Sequence, residues 1–145
     1  MNILKKLSDK YRIDQFSLAS TTEEINKLIE FSSIEIPEDY LSLISVKTEI
    51  EINVAGEKYI RIWGADGCIE MNETYEIQKY IPNSLAIADD EGGNALIYAT
   101  GAKGIALYIT AFNDLDVDEL KFVSNSLSDL LVFNQGINVV INDVV

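Results

Sequence analysis

The segment at positions 89–94, which reads Asp-Asp-Glu-Gly-Gly-Asn, contains the side chains best suited to chemistry. Three adjacent carboxylates are ligands that hard cations such as Ca²⁺ and Mg²⁺ prefer. The glycines, however, follow the acids and lead into a predicted strand, without the lysine and the helix start that a phosphate-binding loop needs. Aspartate, asparagine and glycine are also favoured in turns because they tolerate positive φ angles. We therefore predict a hairpin turn or a partner-contact loop, with a metal site as the alternative.

A second group of acids, Asp114, Asp116 and Asp118, is similar to the start of a calcium-binding loop. Such a loop requires glycine at its sixth position and a bidentate glutamate at its twelfth. Glu119 and Asn125 stand at these two positions. The segment is therefore predicted to be a solvated loop.

Histidine is absent from the sequence, and Cys68 is the single cysteine. This composition excludes Ser-His-Asp and Cys-His nucleophile pairs, and zinc sites built from histidine or paired cysteines. Cys68 lies in an apolar stretch, which favours a buried and unreactive thiol. One cysteine cannot form an internal disulfide, so we expect a cytoplasmic protein. We predict no catalytic activity and no cofactor; a hydrolase with carboxylate-bound metal is the remote alternative.

The net charge is −13, from 11 basic and 24 acidic residues. An acidic surface repels the nucleic-acid backbone and attracts cationic partners over long range. Excess carboxylates also serve solubility alone. The longest nearly apolar run, residues 105–112, is far shorter than the roughly 20 residues that span a bilayer. We therefore predict contact with neither nucleic acid nor membrane.

Helical spacing of apolar residues alternates with strand spacing along the chain. Helices are predicted at 3–12, at 21–29 after the capping box of Thr21 and Glu24, at 37–44 after Pro37, at 72–80 and from Ser126 towards Gly136. Strands are predicted at 49–54, 59–63, 68–71, 84–88, 95–99, 105–112 and 120–123, and the tail at 137–145 resembles a strand. Runs of hairpins beside segregated helices indicate an α+β fold. We predict one domain over residues 1–145, mainly an antiparallel meander sheet of about six strands with helices packed against it.

Several segments occur in an order that resembles the SUKH superfamily, which contains fungal cell-wall-synthesis regulators and bacterial immunity proteins. They are IPEDYL at 36–41, Trp63 after a strand, Ile81-Pro82, LAIADDEGGNA at 85–95 and SLSDL at 126–130. The resemblance covers about residues 20–134. Two departures are Glu91, where glycine is common, and Val-Lys-Thr at 46–48 in place of Asn-Gly-Gly.

The resemblance implies a non-catalytic domain that binds and neutralises a bacterial toxin, often a nuclease. A cationic nuclease suits the acidic composition, because opposite charges speed association. The alternative is a scaffold or signalling module without a toxin, as in the fungal relatives. From residue type and loop position, we predict a partner-binding patch of Trp63, Asp89, Asp90, Glu91 and Asn94. The alternative is that Trp63 belongs to the core and the acids only solvate a turn, which leaves the acids at 114–119 as the next surface to test.

Overall fold

One antiparallel sheet is the framework of the protein. In the computed structural model, which describes residues 2–101 and 104–142, seven strands lie in the sheet in the order of the chain. They are β1 (Tyr11–Leu18), β2 (Lys47–Val54), β3 (Lys58–Ile62), β4 (Ser84–Asp89), β5 (Asn94–Gly101), β6 (Gly104–Ala111) and β7 (Lys121–Ser124). The predicted α+β fold with an antiparallel meander is confirmed.

Helices connect and cover the strands. Within the same ranges they are α1 (Thr22–Phe31), α2 (Glu38–Ile44), α3 (Ala65–Thr74), α4 (Ile77–Tyr80), α5 (Leu127–Leu131) and α6 (Ile137–Asn142), with 3-10 turns at Ile3–Lys5 and Val117–Glu119. The predicted capping box of α1 is present, since Thr21 and Glu24 each accept a hydrogen bond from the other's backbone N–H. Pro37 directly precedes the first turn of α2, as expected.

The two faces of the sheet are covered unequally. The central strands β4 to β6 are buried on both faces over residues 84–88, 94–99 and 106–110. In β2 and β3 only one face is fully buried, and it carries Ile50, Ile52, Ile60 and Ile62. The opposite face of β1 to β3 remains accessible, and we call it the open face. Its polar side chains include Arg12, Asp14, Glu51, Tyr59 and Arg61.

The predicted helix at 3–12 is wrong. Only Ile3–Lys5 is helical, and β1 begins at Tyr11. From Tyr11 the chain pairs with β2, and the Tyr11 hydroxyl donates to the Leu130 carbonyl at 2.7 Å. The pairing satisfies backbone groups at the edge of β2, a tertiary gain that outweighs the local helical spacing.

The predicted strand at 68–71 is also wrong, because these residues belong to α3. Helical spacing brings Cys68 and Asn72 to the same backbone group of β4. Cys68 Sγ and Asn72 Nδ2 donate to the Ala86 carbonyl at 3.1 and 2.8 Å, and Asn72 Oδ1 accepts from the Ala86 N–H at 3.0 Å. The predicted helix at 72–80 is interrupted where Glu76 adopts a φ of 52°.

The tail at 137–145 was expected to resemble a strand, but residues 137–142 form α6. Val140 is buried, and its carbonyl accepts a hydrogen bond from Lys58 Nζ at 2.9 Å. Packing against β7 and this contact with β3 hold the segment as a helix. Residues 143–145 of this prediction lie outside the described residues.

Candidate partner-binding site

The predicted turn at 89–94 joins β4 and β5, and Asp90 organises it. Asp90 Oδ1 accepts hydrogen bonds from the N–H groups of Gly92 and Asn94, both at 2.9 Å. Its Oδ2 accepts from Asn94 Nδ2 at 2.8 Å and lies 3.3 Å from Lys58 Nζ. Burial alone would raise the pKa of Asp90, but these hydrogen bonds and the Lys58 charge lower it. Asp90 is 3% exposed and therefore acts as the internal anchor of the turn.

Trp63 follows β3 and is bound to the same turn. Its indole Nε1 donates to Asp89 Oδ2 at 2.8 Å, and its carbonyl accepts from the Tyr40 hydroxyl at 2.6 Å. Asp89 Oδ1 accepts from the Glu91 N–H at 2.8 Å. Trp63 is 2% exposed, so the ring is part of the core.

The structure brings the five residues of the predicted patch together but exposes only some of them. Trp63, Asp90 and Asn94 are buried, Asp89 is half-buried and Glu91 is exposed. Direct contact with a partner at this turn is thus available to Asp89 and Glu91. Trp63 is therefore a core residue, as the alternative interpretation held. That this patch contacts a partner stays a prediction.

Two neighbours that the sequence analysis missed complete the accessible part of this site. Strand register aligns Glu51, Arg61 and Asp89 across β2, β3 and β4. Arg61 lies 3.2 Å from Glu51 Oε2 and 3.8 Å from Glu91 Oε2. Partial burial and the close carboxylate of Glu51 raise the pKa of Glu91. We name Glu51, on the open face, and the adjoining Asp89 and Glu91 the open-face acids. Glu51 and Glu91 lie near the guanidinium of Arg61, and Asp89 stands opposite Arg61 in the strand register.

The open face continues towards the sheet edge with a balanced pair. Asp14 Oδ2 accepts from the Tyr59 hydroxyl at 2.9 Å, and Asp14 Oδ1 accepts from Arg12 Nε at 2.6 Å. Both contacts lower the pKa of Asp14. Near β1 the charges therefore compensate each other, whereas near β4 the acids are in excess.

The remaining candidate residues take structural positions. Burial raises the pKa of the Cys68 thiol to about 12, and the predicted buried thiol is confirmed. Asp116 Oδ1 accepts from the Asp118 N–H at 2.9 Å in the exposed 3-10 turn. Within residues 2–101 and 104–142, no group of three or more His, Cys, Asp or Glu side chains is placed to hold a metal ion. No helix in that part of the chain has the length and apolar character needed to cross a membrane.

The aspartate of the IPEDYL segment connects three elements inside the fold. Asp39, in the first turn of α2, accepts from the Tyr98 hydroxyl of β5 at 3.1 Å and from the Ser128 N–H of α5 at 3.1 Å. The Tyr98 hydroxyl in turn accepts from the Leu127 N–H at 2.8 Å. Asp39 thus links two of the segments that carry the family resemblance, residues 36–41 and 126–130.

Comparison with known protein families matches most of this fold. The model of the SMI1 / KNR4 family (SUKH-1) matches residues 19–132, which include β2 to β7 and α1 to α5. No curated protein matches the chain.

Proposed function

The chain belongs to the SMI1 / KNR4 family (SUKH-1), and from this premise we propose that it is an immunity protein. The family supports a protein-interaction or immunity role. We propose more specifically that the chain binds and neutralises a cationic bacterial toxin, a nuclease domain, without catalytic activity of its own. The proposed contact surface is the open face, with the open-face acids at its centre.

The observation that carries the proposal is the excess of carboxylate around Arg61. Glu51 and Glu91 lie close enough that the pKa of Glu91 is raised, and one guanidinium serves both. A partner cation placed between them would relieve this repulsion and gain charge-assisted hydrogen bonds. Because a cation from a partner would reduce the repulsion between these carboxylates, they are suited to binding a basic protein surface.

The overall charge supports the same partner class. At −13 the chain attracts a basic protein before contact and raises the association rate. A nuclease presents cationic groups where it binds phosphates. An acidic open face placed against that surface would block substrate access, which is how binding alone neutralises the toxin.

The patch proposed from the sequence is retained with a division of roles. Asp89 and Glu91 would meet the partner together with Glu51, while Trp63 and Asp90 would hold the turn that presents them. Asn94 belongs with the second group, because its side chain donates to Asp90 inside the turn.

Capture from the native host tests the proposal. The chain is immobilised, and retained proteins are identified for three forms of it: wild type, the double variant Glu51→Gln with Glu91→Gln, and Glu30→Gln with Glu73→Gln. The last pair is exposed on α1 and α3 and removes the same charge, so it controls for net charge. We expect the wild type and the control to capture a basic protein with toxin activity and to inhibit that activity. The open-face variant should inhibit it several-fold less. Capture of a basic protein equally by all three forms would contradict the proposed surface.

A further inference from the structure

A cleft of about 650 Å³ lies beside the end of β1, apart from the turn at 89–94. One wall is the chain from Phe16 to Ser20, and the other is the first turn of α3. Gly64 and Gly67 allow α3 to approach β2 closely, since a Cβ at Gly67 would lie 2.8 Å from Glu49 Oε2. That oxygen accepts from the Gly64 N–H at 2.7 Å and fixes the start of α3.

The β1 wall of the cleft exposes two large apolar side chains. Leu18 is 90% exposed and Phe16 is 56% exposed, and they flank Ser17 on a strand that ends the sheet. The Phe16 ring already holds a cation, because Lys47 Nζ lies 3.6 Å from its centroid. Exposed apolar groups around a cleft favour a protein contact.

Two acids also line the cleft. Glu24 of α1 and Asp66 of α3 approach each other closely enough that the pKa of Asp66 is raised by its contact with Glu24. The Lys27 ammonium lies near this pair and partly opposes the rise in the pKa of Asp66, and it also pairs with Glu23 at 3.7 Å. The cleft is thus lined both by exposed apolar side chains and by two neighbouring carboxylates.

We propose that this cleft binds a segment of a partner protein in which an arginine stands next to an apolar residue. The guanidinium would bridge Glu24 and Asp66, and the apolar residue would lie on Phe16 and Leu18. A planar fork of donors suits two adjacent carboxylates better than an ammonium does. A second copy of this chain is a poorer occupant, since two molecules of charge −13 repel each other. This inference holds whether or not the partner is a toxin.

Selection of displayed random 12-residue peptides on the immobilised chain tests the proposal. We expect the enriched sequences to contain arginine beside an apolar residue. Amide chemical shifts of the labelled protein, followed as the best synthetic peptide is added, should change at residues 16–20 and 64–67. Enrichment of neutral or acidic peptides, or shifts confined to the open face, would overturn it.

Variants then separate the two halves of the cleft. The double variant Glu24→Gln with Asp66→Asn should bind the selected peptide at least tenfold more weakly, and glutamine at position 24 preserves the capping box of α1. Leu18→Ser should weaken binding several-fold with an unchanged melting temperature, because Leu18 is exposed. The Glu30→Gln with Glu73→Gln variant should bind as the wild type does. Replacement of the peptide arginine by lysine should weaken its binding to the wild-type protein. If both cleft variants bound the selected peptide with wild-type affinity, the proposal would be overturned.

Discussion

The turn at 89–94 and the open face beside it both concentrate carboxylates, but they use them in different ways. In the turn, Asp90 is surrounded by N–H donors and Lys58, and its pKa is lowered. On the open face, Glu91 lies against Glu51, and its pKa is raised. The carboxylate of Asp90 has its hydrogen-bond and charge partners inside the molecule, whereas the carboxylate of Glu91 has a second carboxylate as a close neighbour.

This difference shows why a run of acids in the sequence is a poor guide to a binding surface. The residues that stand out at positions 89, 90 and 94 donate or accept within the turn, as the hydrogen bonds of Asp90 illustrate. The acids that face solvent together come from separate strands and a turn, and only register unites Glu51 with Asp89. Sheet pairing therefore brings the acids of this surface together.

The largest effect is expected when Asp90 is removed. Asp90→Ala removes the buried carboxylate that accepts from two backbone N–H groups and pairs with the Lys58 ammonium, which costs about 3 kcal/mol of the free energy of unfolding. Urea denaturation measures this loss. Glu73→Ala on the exposed face of α3 is the control and should change stability by less than about 0.5 kcal/mol. Equal stability of the two variants would show that Asp90 does not anchor the turn.

A smaller loss is expected for Trp63→Phe. The variant keeps an aromatic ring in the core but removes the N–H that donates a hydrogen bond to Asp89, which costs about 2 kcal/mol of the free energy of unfolding. Tyr59→Phe removes a hydroxyl that donates to the exposed Asp14 and should cost far less. Thermal and urea unfolding of both variants make the comparison. If Tyr59→Phe is the more destabilising change, the assignment of Trp63 to the core network is wrong.

The pH dependence should have opposite signs at Asp90 and Glu91. A lowered folded-state pKa means that Asp90 contributes stability above the unfolded-state value of about 3.9 and loses it as pH falls towards the folded-state value. A raised folded-state pKa means that Glu91 lowers stability as pH rises above about 4.3.

Two variants measure these signs. Asp90→Asn should be less stable than the wild type at pH 7, and the difference should shrink towards pH 3. Glu91→Gln should be at least as stable as the wild type at pH 7, and any advantage should vanish below pH 4. Urea midpoints at four or five pH values test both, and the same sign for the two variants would remove the distinction between the turn and the open face.

Much of the fold follows from local signals, and the exceptions have tertiary causes. The capping box of α1, the proline before α2 and the turn at 89–94 act through neighbouring residues, so the sequence predicts them. The helix expected at 3–12 is replaced by β1 because β2 offers a pairing partner far along the chain. Residues 68–71 are helical because helical spacing lets both Cys68 and Asn72 form hydrogen bonds with the backbone of Ala86.

The candidate site was predictable to a smaller extent. Residue type indicated the turn at 89–94 and identified Asp89 and Glu91, which reach the surface. The alternation of Glu49 and Glu51 indicates a half-exposed strand, but a single sequence does not show which residues of β3 and β4 lie beside Glu51 in the sheet. Trp63 was ambiguous for the same reason, since its hydrogen bond to Asp89 depends on how β3 and β4 meet.

Association kinetics with the captured basic partner test the central claim most directly. For Glu51→Gln with Glu91→Gln, we expect wild-type stability, an association rate several-fold lower and a weaker dependence on salt. For Asp90→Asn, measured where it is fully folded, we expect an association rate closer to that of the wild type. An unchanged association rate for the open-face variant, with a reduced rate for Asp90→Asn, would contradict the account.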